Sequence, residues 1–244
     1  MRKLGMIGGT SWHSTAMYYE QINRGIAQRF GGVASAPLVI ESLNLADVAP
    51  LQLAGEWGAV AEIVASAARR LAAAGAEGLI LCSNTMHKVA DEVQAAAGLE
   101  LIHIGDAVAE RLVADGVKRA GFIGTRFTMA EPFVRGRIEA RGIALAPPAA
   151  ATAQEIDRII FEELAKGQVT RNSQRRLKTC LTEMGQARQQ GVVLACTELV
   201  LLVDPVANVL PVYDTTAIHA RAAVEWIALN GGALPVISSG MDTV

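Results

Sequence analysis

Strand-length apolar runs alternate with longer stretches of helical spacing along most of the chain, and this alternation limits the fold more than any other feature. The runs fall at 4–7, 37–41, 78–82, 101–103, 120–123, 143–146, 192–195 and 209–212. Between them, polar residues recur at helical intervals over stretches that include 15–30, 57–74, 88–97, 131–141, 155–166 and 173–190. Strands separated by helices of this length pair in parallel, so the pattern predicts an α/β fold of mainly parallel sheets flanked by helices. Ala74-Gly75-Ala76, Asp115-Gly116-Val117 and Gln190-Gly191 sit where helices hand over to strands.

A weak internal symmetry divides this α/β pattern in two. Leu81-Cys82-Ser83-Asn84-Thr85 and Leu194-Ala195-Cys196-Thr197-Glu198 are both a strand end followed by a small polar triplet, separated by close to half the chain. Two pseudo-symmetric lobes are therefore expected, each turning its triplet toward a shared cleft, because ligands of open α/β sheets bind beyond the carboxyl ends of strands. The expected division is 1–103 plus 212–230 as the first lobe and 104–211 as the second. Residues 231–244 lack periodicity and read as a flexible tail.

Charge excludes several function classes. The net charge is -2, with basic and acidic residues scattered singly, so neither a nucleic acid nor a membrane surface is an expected partner. No apolar run approaches the roughly 20 residues of a membrane helix, and the stretch after Met1-Arg2-Lys3 is too short and glycine-rich for a secretory leader. A cytoplasmic location is expected. Three cysteines without a close-spaced pair indicate neither a disulfide framework nor a zinc site. The histidines His13, His87, His103 and His219 look dispersed, His87 alone lying one helical turn beyond Ser83, and no metal is expected.

Three polar turns remain as candidate binding elements. Gly8-Gly9-Thr10-Ser11-Trp12 follows the first strand but lacks the spacing of dinucleotide or P-loop motifs. It reads better as a small-anion loop, with Gly9 opening backbone N–H groups and Thr10 and Ser11 adding hydroxyls at a helix start, or as a tight turn without a ligand. Gly124-Thr125-Arg126-Phe127-Thr128-Met129 repeats that logic, unless Thr128 merely caps a helix. Cys196 ends an apolar strand before a turn, where a helix N-terminus would lower its thiol pKa, although a lone cysteine in an apolar run is often core filling. Cys180 reads as core, and strand alternation turns Cys82 away from whatever Ser83 faces.

Taken together, Gly8-Gly9-Thr10-Ser11-Trp12, Asn84-Thr85-Met86-His87-Lys88, 124–129, Phe161-Glu162-Glu163-Leu164, Cys196-Thr197-Glu198 and Pro211-Val212-Tyr213-Asp214-Thr215 resemble, in order, the aspartate/glutamate racemase family. The resemblance runs from about Lys3 to Ile227. It implies two lobes with the site between them, often a homodimer, and racemisation of a small amino acid without pyridoxal phosphate or any other cofactor. In the family pattern two cysteines flank the substrate α-carbon, one removing the proton and the other returning one on the opposite face. Here the first of them is replaced by Ser83 and the second is kept as Cys196. By analogy with members carrying Thr in place of the first cysteine, Cys196 is the thiolate base for the L-enantiomer, and Ser83 donates or relays a proton.

The resemblance also implies substrate contacts. Thr10, Asn84, Thr85, Thr125 and Thr197 would hold the α-carboxylate and amino group, with Gly9, Ser11 and Glu198 beside them. An acidic substrate of the Asp or Glu type is expected from the family, and Lys166 fits the position of its distal-carboxylate lysine. The loop at 43–55 holds no Arg or Lys. Losing a bidentate arginine there removes about 1.5 to 3 kcal/mol of charge-assisted pairing, which Asn44 replaces in part. Alternatives are a one-cysteine decarboxylase or isomerase of the same superfamily, which would give a single product, and a non-catalytic ligand-binding homologue.

Overall fold

The computed structural model describes residues 1–203 and 208–229. The elements run β1 (Leu4–Gly8), α1 (Trp12–Phe30), β2 (Leu38–Ser42), α2 (Leu45–Ala54), α3 (Trp57–Ala73), β3 (Gly78–Leu81), α4 (Ala90–Ala97), β4 (Glu100–Ile102) and α5 (Ile104–Ala114). They continue with β5 (Arg119–Gly124), α6 (Arg126–Ala130), α7 (Pro132–Glu139), β6 (Ala144–Ala146), α8 (Ala150–Glu162), α9 (Arg171–Gln186), β7 (Val192–Ala195), β8 (Val212–Asp214) and α10 (Thr215–Ala228). Short 3-10 turns occupy Thr85–Val89, Leu164–Lys166 and Thr197–Leu202.

Two four-stranded parallel sheets result, in the orders β2-β1-β3-β4 and β6-β5-β7-β8. The orders are the same once β5 is matched to β1, so the two expected lobes share one topology. Each sheet is covered on both faces, as the period-2 pattern of its strands requires. In the first lobe Leu4, Met6, Ile80 and Cys82 pack toward α1 and α10, whereas Ile7, Leu79 and Leu81 pack toward α3 and α4. In the second, Phe122, Val193 and Ala195 meet α5 and α7, and Ile123, Val192 and Leu194 meet α8 and α9.

The expected division needs one correction. Residues 212–214 do not join the first lobe, because β8 pairs in parallel with β7 through Val192↔Val212 and Leu194↔Asp214. The helix that follows does cross back. Trp226 of α10 lies so close to β3 that a Cβ on Gly78 would come within 2.2 Å of its ring. The tail at 231–244 lies outside the described residues.

Helix ends follow the expected chemistry at Gly75 (φ 84°) and Gly116 (φ 72°), both in the left-handed region. Near Gln190-Gly191, the positive φ belongs to Arg188 (58°) instead. The stretch read as a loop at 43–55 is largely helix α2, begun by Asn44, whose side chain accepts the Ala46 N–H, and it tolerates Pro50 in its middle. Among the described residues no helix is long and apolar enough to cross a membrane.

Candidate active site

Strand register brings the two polar triplets into equivalence. Ile7 is aligned with Leu81 across β1 and β3, and Ile123 with Leu194 across β5 and β7. Two positions further along, Ser83 and Cys196 therefore occupy matching places, one in each lobe. Both line one cleft with a volume of about 170 Å³. Its wall also includes Gly9, Thr10, Ser11, Asn84, Thr85, Thr125, Thr197 and Glu198. Cys82 touches the cavity, but its side chain belongs to the apolar cluster beneath α1 and α10, and burial pushes its thiol up. Cys180 is buried in α9, as expected.

Two anticipated substrate contacts are not on this wall. Asn44 is exposed and its side chain is spent capping α2. Lys166 is exposed as well, and the cavity is lined instead by its neighbour Ala165. Residues to which sequence reasoning gave no site role include Trp12, His13, Ser14, Leu45, Gln52, Ile160 and Phe161. Ser14 carried the clearest signal, three positions after the capping Ser11, and it is 2% exposed.

The Gly8-Gly9 loop works differently from an open anion cradle. The Gly9 N–H is already given to Thr15 Oγ1 at 2.9 Å. Its left-handed φ of 82° and its contact with the residue that follows β2 explain the glycine, since a Cβ there would lie 1.9 Å from the Leu43 carbonyl oxygen. Ser11 caps α1. In the other loop the helix cap is Thr125 rather than Thr128. Thr125 Oγ1 accepts the Thr128 N–H, and lies 3.0 Å from Thr128 Oγ1 and 3.4 Å from Thr85 Oγ1 across the cleft.

The chemistry of Cys196 departs from expectation. Its Sγ donates to Glu198 Oε2 at 3.1 Å, and Thr197 Oγ1 donates to the same oxygen at 2.6 Å. Ser14 Oγ of the first lobe lies 2.6 Å from Thr197 Oγ1 and 3.3 Å from Glu198 Oε1. Backbone N–H groups of Glu198 and Leu199 do favour the thiolate, as a helix start should, but burial and the adjacent carboxylate outweigh them and push the thiol well up. The free site therefore holds a neutral thiol hydrogen-bonded to the Glu198 carboxylate.

Asn84 supplies an unused acceptor. Thr215 Oγ1 donates to the Leu194 carbonyl, so it accepts from Asn84 Nδ2 at 3.0 Å, and this fixes the amide orientation. Asn84 Oδ1 is then buried without a partner. A buried acceptor without a donor costs about 1 to 3 kcal/mol, which a ligand N–H in the cavity would recover.

Three histidines that are far apart in sequence meet behind the Ser83 turn. The His87 ring centroid lies 4.5 Å from that of His103 and 5.3 Å from that of His219, so the expected dispersal is corrected. His87 Nε2 accepts the Ile104 N–H at 3.1 Å, which leaves its Nδ1 to donate to the Ser83 carbonyl at 2.8 Å. His219 Nε2 donates to the Ile102 carbonyl, and its Nδ1 accepts from Tyr18. His103 Nδ1 accepts the Gly105 N–H. All three rings are therefore neutral, and they pin the chain where it crosses from β4 into the second lobe.

Burial lowers all three imidazoles, His103 to about 3 and His219 to about 4. The unfolded chain binds protons first, from about pH 6.5 downward, so stability is full above that pH and is lost as pH falls toward 4. Between pH 6.5 and 5 the loss should be about 2 kcal/mol per ring. Thermal midpoints measured across that window should fall steeply, and His219→Gln should flatten the slope. A midpoint that stays constant from pH 7 to 5 would contradict the neutral cluster.

Comparison with known proteins identifies the family and the two-lobe fold. The family model described as Asp/Glu/Hydantoin racemase matches residues 7–223. A candidate Asp/Glu racemase from Yersinia pestis is 40% identical, with a TM-score of 0.88 over 93% of this chain and 99% of that one. An aspartate racemase homologue from Pyrococcus horikoshii OT3 is 33% identical, with a TM-score of 0.80 over 93% and 100%. The aspartate racemase of Picrophilus torridus, at 17% identity, shares the fold, with a TM-score of 0.72 over 93% and 94%.

Proposed function

The chain belongs to the Asp/Glu/hydantoin racemase family, and from that premise we propose that it interconverts the two hands of a free amino acid by moving the α-proton, with Cys196 and Ser83 on opposite sides of the α-carbon. One observation carries this reading. Matching strand ends of two like lobes present a thiol and a hydroxyl to a single cavity, and the thiol alone has a carboxylate at 3.1 Å.

In the proposed sequence Glu198 takes the Cys196 proton as substrate enters, and the thiolate removes the α-proton of the L-enantiomer. The resulting planar carbanion is held by hydroxyl and amide groups of Thr10, Thr85, Thr125, Thr197 and Asn84. Asn84 Oδ1 accepts from the substrate ammonium, which satisfies the buried oxygen. Ser83 then passes a proton to the opposite face as its hydroxyl receives another from water, and Glu198 gives the proton it took from Cys196 to the hydroxide left behind, which restores the thiol, the carboxylate and the hydroxyl. Return of the proton from Cys196 instead regenerates the L-form.

A hydroxyl relay is slower than a thiol, so the two faces should behave unequally. In deuterium oxide the L-substrate is expected to lose its α-proton with retention faster than it inverts, followed by proton NMR and chiral chromatography. If no amino acid in a broad panel exchanges its α-proton, the racemase reading is wrong. Release of carbon dioxide from a substituted malonate, giving one product hand, would replace it with one-sided chemistry at Cys196.

A further inference from the structure

The side-chain end of the cavity is marked by residues it shares with its surroundings. Gln52, Phe127 and Phe161 line both the inner cavity and a larger outer cleft of about 920 Å³ between α2 and helices α6 and α8. They form the wall between the two spaces. On the inner side that wall is continued by Leu45, Met86 and Ile160. Among the described residues, the cavity lining contains no lysine and no arginine, and its one carboxylate, Glu198, is engaged by Cys196 and Thr197.

Nearby cations are turned elsewhere. Arg126 stands in the outer cleft, its guanidinium 5.2 Å from the Phe127 ring and 5.8 Å from that of Phe161, with Nε 3.8 Å from Asp157. Lys88 is paired with Glu131 at 2.6 Å and lies over the Trp57 ring. Lys166 is exposed beyond Ala165. A second substrate carboxylate would meet neither a lysine nor an arginine on this lining, and burying a carboxylate without a full countercharge is unfavourable. An aliphatic or aromatic side chain would instead gain free energy by covering that apolar surface.

We propose that this cavity selects amino acids with uncharged, largely apolar side chains, through Leu45, Gln52, Phe127 and Phe161, and that it disfavours the acidic substrates the family resemblance implied. The inference rests on the racemase reading and narrows its substrate class.

Two measurements test it. First, α-proton exchange of L-Leu, L-Met, L-Phe and L-Gln is compared with that of L-Asp and L-Glu. The best neutral substrate should exceed both acids by at least about tenfold in kcat/KM, equal to about 1.4 kcal/mol. Gln52→Arg should shift the ratio toward the acids by about tenfold or more, and Arg126→Ala should leave the wild-type preference unchanged. Second, the thermal shift of Cys196→Ser with each amino acid reads the same preference without chemistry. Faster exchange of Asp or Glu, a larger shift with either acid, or a preference that changes in Arg126→Ala overturns the proposal. Exchange with none of the amino acids, together with a larger shift from the apolar ones, would instead remove the racemase reading and leave the pocket's preference standing.

Discussion

Replacing Cys196 by serine should reduce α-proton exchange by about 10³-fold, close to 4 kcal/mol in the barrier, while leaving the fold and ligand binding intact. The size follows from the asymmetry of the site. Cys196 is the one lining residue that combines an ionisable thiol, a carboxylate at 3.1 Å and backbone N–H groups favouring its anion. A hydroxyl in its place loses its proton far less readily, and Glu198 cannot reach the α-carbon through it. Serine nearly preserves volume, so the packing around Leu194 and Leu199 changes little. Cys180→Ser is the control, since that thiol is buried in α9, apart from the cavity wall. A Cys196→Ser variant retaining more than a tenth of the exchange would transfer the base to another group.

The second large effect is a gain. Ser83→Cys should raise α-proton exchange from the D-enantiomer by roughly 10- to 100-fold, because a thiol then stands where the hydroxyl relays. Ser83 is half-buried at the rim of the cavity, and its carbonyl is held by His87 at 2.8 Å, so the backbone is fixed and only one atom changes. The L-side exchange should change little, because Cys196 still acts there. Net racemisation must rise equally in both directions, since two enantiomers are equal in free energy and the equilibrium constant is one. The exchange experiment is therefore the readout that resolves the two faces. If D-side exchange does not rise, positions 83 and 196 do not flank one α-carbon, and one-sided chemistry at Cys196 becomes the better reading.

Much of this arrangement was legible in the chain. The strand runs at 4–7, 120–123 and 192–195 reappear as β1, β5 and β7 within one residue at each end, because buried parallel strands are short continuous apolar runs. The pairing of Ser83 with Cys196 was visible as two similar triplets and becomes a matter of register in the sheets. Helix α2 was hidden by Pro50 and by the scarcity of charge around it, which together look like a loop. The run at 209–212 was displaced to Val212–Asp214, and its lobe could not be read locally, since an edge strand is defined by the neighbour it bonds to.

The sequence by itself determined the alternation of strand and helix, the two like lobes, the family, and the presence of one thiol and one hydroxyl at matching strand ends. Only the tertiary structure decided that Cys196 rests as a neutral thiol, that three distant histidines meet as neutral rings, that Asn84 keeps an unpaired oxygen, and that among the described residues no lysine or arginine lines the cavity. These properties have a common physical reason. Protonation and substrate charge preference depend on which groups lose water together, and residues far apart in sequence are brought together only by the fold: His87 and His219 when α10 packs back onto the first lobe, Gln52 and Phe161 when the two lobes line one cavity.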